Sequence, residues 1–141
     1  MFRQSKAGHR RRGATTVEFA ICFPVMLAIV FGTIEFARIL QVQHTIRLAA
    51  FEGARAGIAL DAATADVQTA AQTILTAAKI KSSTVTVAPN PLTYTSSTVQ
   101  VTVSADPASN AWLVWFVKAG HPISSTITLD REVLAVSVPG P

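Results

Sequence analysis

The sequence predicts an α+β protein, with a long N-terminal helix whose first half is transmembrane and a second helix packed on a small antiparallel sheet of about three strands. Three observations lead there. The run from Val17 to Phe36 carries no charge except Glu18 and Glu35. Beyond it, Ile39, Val42, Ile46, Ala49, Gly53 and Ala56 recur at spacings of three and four, the period of one helix face. Further on the period drops to two, at Thr84–Val87, Thr98–Ser104 and Ile123–Leu129, the alternation of half-buried strands.

A chain of 141 residues allows one ordinary domain and an anchoring segment. Half of it is hydrophobic, only 14% is charged, and the mean hydropathy is +0.40, which places part of the chain in lipid. The net charge of +4 is unevenly distributed. Arg3, Lys6, Arg10, Arg11 and Arg12 precede Gly13 with no acid among them, whereas seven basic residues face eight acidic ones afterwards. A polybasic head beside an apolar run holds an N-terminus on the cytoplasmic side. The charge therefore points to a lipid bilayer as partner and to no nucleic acid. Cys22, the single cysteine, falls inside the apolar run and reads as a small hydrophobe.

Taken in order, residues 1–13 read as a cytoplasmic leader without regular structure, and 14–36 as the transmembrane half of the long helix. Residues 37–58 then form its extracytoplasmic half and 59–141 an extracytoplasmic α+β domain. The 20 positions from Val17 to Phe36 suit a hydrocarbon core of about 30 Å. Pro24 is tolerable there with a bend. A helix from Ala14 to about Ile58 is roughly 67 Å long, so its second half must leave the lipid. Its small residues Ala49, Gly53, Ala56 and Gly57 would let other backbone come close.

Asp61 opens the second helical segment, with Val67, Ala70, Ala71, Ile74, Leu75 and Ala78 on one face and an end near Lys79–Lys81, where cations suit a helix C-terminus. The stretches Thr84–Val87 and Thr98–Ser104 form a hairpin around the loop marked by Pro89, Asn90 and Pro91. Asp106–Pro107 resembles a helix start, and Trp112–Val117 is read as a short helix, packed as core between helix and sheet or, if exposed, serving as a partner surface. In the last extended region the apolar phase flips around Asp130–Glu132 to Leu134, Val136 and Val138, which calls for a bulge or turn.

Chemistry concentrates at Gly13–Glu18. Arg10, Arg11 and Arg12 hold the peptide bond after Gly13 at the cytoplasmic membrane surface, and the glycine leaves that bond sterically open. A cut there would leave the apolar helix whole and give it a new α-amino group at Ala14, whereas a secretory signal loses its apolar segment. Glu18 is costly in hydrocarbon, about 2.5–3.5 kcal/mol at a helix centre and less near the edge. Two readings stay open: pairing with an ammonium at Ala14, within one helix or between staggered helices, or snorkelling to the cytoplasmic headgroups.

The string RRRGATTVEFAICFPVMLAIV resembles the class III signal of type IV prepilins, with glycine before the cut and glutamate at the fifth mature position. With VEFA after GATT, proline in the span and AAFEGARAG at Ala49–Gly57, the chain resembles the TadE family of the tight-adherence (Flp) pilus system. These strings cover residues 10 to about 58. The resemblance implies a pilin-like fold and cleavage between Gly13 and Ala14 by a prepilin peptidase, with Glu18 serving recognition or subunit registration. It also implies partnership with other pilin or pseudopilin subunits and the assembly machinery, at the bacterial inner membrane and in a pilus used for surface attachment. The major Flp pilins are much shorter, which favours an accessory subunit.

No enzyme constellation, metal site or cofactor is expected, because His9, His44, His121 and Cys22 lie in separate segments. Glu35 with Arg38, and Glu52 with Arg55, read as surface ion pairs, the first marking the outer membrane boundary. The competing function is an unprocessed single-pass protein whose extracytoplasmic domain binds a ligand or serves as scaffold.

Overall fold

The computed structural model describes residues 9–59, 61–93, 95–113 and 121–131. Helix α1 (His9–Gly57) is followed by α2 (Thr64–Ala77), β1 (Ser83–Ala88), β2 (Thr98–Ala105), the single turn α3 (Pro107–Asn110) and β3 (Ile123–Asp130). The chain divides into two compact units, residues 1–36 and 37–141.

In the first unit, α1 runs uninterrupted through Pro24 and Gly32. Proline has no amide hydrogen, so the Ala20 carbonyl lacks its usual helical donor there. The helix begins at His9 rather than after Gly13 as expected. Arginine is a good helix former and no proline stands between His9 and Gly13, so the helix propagates back into the basic cluster. Large apolar side chains are exposed all round this stretch, among them Phe19 (63%), Ile21 (68%) and Ile29 (64%).

In the second unit the core is assembled from α1, α2 and one face of the sheet. Val42, Ile46, Ala49, Ala50, Gly53, Ala54 and Gly57 form the buried face of α1. Ala56, expected in this stripe, is only half-buried, while Ala50 and Ala54 take its place. Val67, Ala71 and Leu75 recur every four residues on the buried face of α2.

The sheet is an antiparallel meander in the order β1-β2-β3. As its central strand, β2 buries Val99, Val101, Val103 and Ala105 on one face. Val85 pairs with Val103, Val101 with Ile127 and Val99 with Leu129, so the alternation of all three strands is in phase. The opposite face carries hydroxyls that bond laterally, Thr84 to Ser104 at 2.6 Å and Thr102 to Thr126 at 2.9 Å.

The connections are pinned by polar groups. Asp66 accepts from the Ala63 amide at 2.9 Å, which starts α2. The helix stops where Ile80 N–H donates to Leu75 O and Lys79 N–H to Thr76 O, a Schellman ending with Lys79 in the left-handed region (φ 55°). Asp106 caps α3 by accepting from the Ala108 amide. The predicted helix start at Asp106–Pro107 is present, but the helical turn precedes the aromatic block. Trp112 and Leu113 lie in a bend after it, and Trp112 is 73% exposed rather than core. Val114–Val117, and the phase flip read at Leu134, Val136 and Val138, lie outside the described residues.

Buried Asn110 accepts from Lys81 N–H at 2.8 Å and donates to Lys81 O and Asp106 O, both at 2.9 Å. Arg131, also buried, donates to Thr93 O and Ala59 O, both at 2.8 Å, tying the β1–β2 loop to the end of α1.

Three substitutions test this fold by thermal or denaturant unfolding of the full chain in micelles. A Cβ on Gly57 would stand 2.8 Å from Val99 Cγ2 and 3.0 Å from Val67 Cγ2. Both valines are fully buried and stiff at χ1, so Gly57→Ala should lose about 1–3 kcal/mol despite the helix preference for alanine. At Gly32 an added Cβ meets nothing within 4 Å, and Gly32→Ala should not destabilise. Lys79→Gly relieves a left-handed non-glycine residue and should gain about 1 kcal/mol.

Candidate functional site

The residues singled out for processing and assembly all lie on the first turns of α1. Gly13, Ala14 and Glu18 are helical and exposed, and a Cβ built on Gly13 meets nothing within 4 Å. Arg10, Arg11 and Arg12 belong to the same helix, while their side chains lie outside the described residues. Because α1 is continuous across Ala14 and Glu18, the two are stacked at i, i+4 on one helix face, about 6 Å apart along the axis. No ion pair reaches Glu18 among the described residues. Phe19 and Phe23, also one turn apart, stack with ring centroids at 5.4 Å.

The surface around this site is apolar. From Gly13 to Phe31 every residue of α1 is exposed. Burying one large apolar side chain is worth about 1.5–3 kcal/mol, so a dozen left in water would outweigh the stability of an ordinary domain. The segment is long and apolar enough to cross a membrane, and it fits a single-pass membrane anchor.

The charged residues beyond it behave differently from the surface pairs expected. Glu35 is buried, only 3% exposed. The Arg38 Nε donates to the carbonyl of Asn110, and its guanidinium lies over the Trp112 ring at 5.1 Å. The expectation that this acid lies in a surface pair is therefore corrected, because Glu35 is buried. An i, i+3 spacing only makes a pair possible, and a guanidinium takes a carbonyl and an aromatic face when tertiary structure offers both. Asn110 and Trp112 are far from Arg38 in sequence, so no local signal announced them. Glu52 and Arg55 do pair, at 3.7 Å on the surface. Among the described residues no three His, Cys, Asp or Glu side chains gather to hold a metal ion.

Gly13→Ala tests whether the helix itself needs this glycine. With open space around the added methyl, helix content by circular dichroism and membrane insertion should be unchanged or slightly increased, by about 0.5–1 kcal/mol of helix preference.

No curated protein and no solved structure matches the chain. A family model does: residues 13–55 match TadE-like protein, from the glycine of the RRRG string to Arg55 within AAFEGARAG. Residues 13–55 are thus similar to the TadE-like family, the one that these strings resemble.

Proposed function

We propose that the protein is a minor pilin or pseudopilin of a tight-adherence (Flp) pilus. It is made as a precursor, cut between Gly13 and Ala14 by a prepilin peptidase, and assembled with other pilin or pseudopilin subunits for surface attachment. One observation carries the reading: the family match starts at the proposed cleavage glycine, includes Glu18 and follows α1 into the core of the second unit. The match supports a role in the Tad pilus system, and the long exposed apolar helix supports anchoring in the cytoplasmic membrane.

The chemistry follows from the order of events. The leader's positive charge keeps the Gly13–Ala14 bond at the cytoplasmic face. Cleavage removes that charge and creates an α-ammonium one helical turn from Glu18. An acid that was a liability in hydrocarbon then gains a cation at its own depth, in its own helix or in a neighbour's. Between neighbours, the pair would set the axial stagger of subunits. The second unit is carried outside the membrane and takes no part in the cut.

Intact mass of the protein from its native membrane should lack Met1–Gly13, and Gly13→Ala should retain them at normal expression. A full-length wild-type chain in cells with an active prepilin peptidase would instead support the unprocessed anchored scaffold. Glu18→Ala should leave expression intact and reduce pilus assembly, counted by electron microscopy. Undiminished assembly would remove the role given to this acid.

A further inference from the structure

Four arginines of the second unit have described side chains, and three of them are spent. Arg38 is engaged by Asn110 and Trp112, Arg55 by Glu52, and Arg131 by Thr93 and Ala59. Arg47 is the exception, with no hydrogen bond or ion pair among the described residues. It lies beside a concavity of about 210 Å³ between one turn of α1 and the start of β3. The wall is Gln43, His44 and Arg47 on the helix side and Ile123, Ser124 and Ser125 on the strand side.

The donor set has a definite chemistry. Arginine offers a planar fork that matches two oxygens of a phosphate or carboxylate. The Gln43 amide, the His44 ring and the hydroxyl of Ser125, on the α1-facing side of β3, add hydrogen-bond donors, and none of these side chains is used internally among the described residues. Among the described residues no acid lines the concavity. Asp106, next to the Ala105–Ile123 pair at this end of the sheet, is occupied with Ala108 N–H and Ser109 Oγ. A cation facing unused donors without a competing carboxylate is complementary to an oxyanion.

We propose that this concavity is an oxyanion site, with Arg47 as the principal ligand and Gln43, His44 and Ser125 as supporting donors. Its ligand is a phosphate group, free or on a lipid headgroup. The site is separate from Gly13 and Glu18 and does not depend on processing.

The test uses the full chain, isotope-labelled, in a neutral detergent, titrated with inorganic phosphate at constant ionic strength balanced by chloride. The amide signals of Ser124 and Ser125 and the Arg47 side-chain signal should shift saturably. Arg47→Gln, an exposed position, should weaken the apparent affinity about tenfold or more. Arg55→Gln, on the same helix, should leave it unchanged. A second arm places the chain in phosphate-free nanodiscs of phosphatidylglycerol or phosphatidylcholine. Shifts at the same residues on phosphatidylglycerol only, abolished by Arg47→Gln, would assign the phosphate to a lipid headgroup. Shifts confined to the phosphate titration would assign it to a soluble ligand. No saturable shift in either arm, or shifts that persist in Arg47→Gln, would overturn the proposal.

Discussion

The second unit depends on the close approach of β2 to the glycines of α1. Val101 Cγ1 stands 3.4 Å from where a Cβ on Gly53 would be, and Val99 Cγ2 stands 2.8 Å from one on Gly57. Ala71 and Val67 of α2 crowd the same two positions. Helix, helix and strand thus meet over residues with little or no side chain, and the valines of β2 fill the space that larger helix residues would need. The small-residue stripe of α1 is therefore consumed inside the chain, rather than being left open for another backbone.

From that contact the rest of the second unit follows. With β2 held against α1, its neighbours β1 and β3 can bury their alternate residues only in the register observed, since a slip of one residue would turn Val85, Ile127 and Leu129 to the hydroxyl face. The long connections then need anchors, and two buried polar side chains provide them. Asn110 satisfies both backbone groups of Lys81, and Arg131 takes carbonyls from two separate segments. Each is costly to bury alone and acceptable because its hydrogen bonds are made.

The first part of α1 obeys the opposite rule. Its apolar side chains are exposed in the single chain, so what covers them comes from outside it, and lipid suits a helix hydrophobic all round. One continuous helix therefore has two characters: its early residues suit lipid, and its later ones a protein core with a single buried face. The change falls near Phe36, where the two units divide.

The sequence by itself determined the elements, because each rests on a local rule. The apolar run and the three–four spacing specify α1, alternation specifies the three strands, and Asp106–Pro107 specifies a helix start. The strings around Gly13 and Glu18 carry the likeness to the TadE-like family, since they are contiguous. Only the tertiary structure decided which faces meet and which charges are used. Arg38 could not be assigned to Asn110 and Trp112, nor Arg131 to Ala59 and Thr93, because those partners lie far along the chain. Likewise, Arg47 looks like any surface arginine in sequence. It stands apart in the structure because the other described arginines of its unit are satisfied and the start of β3, with Ser125, is brought beside it by the fold.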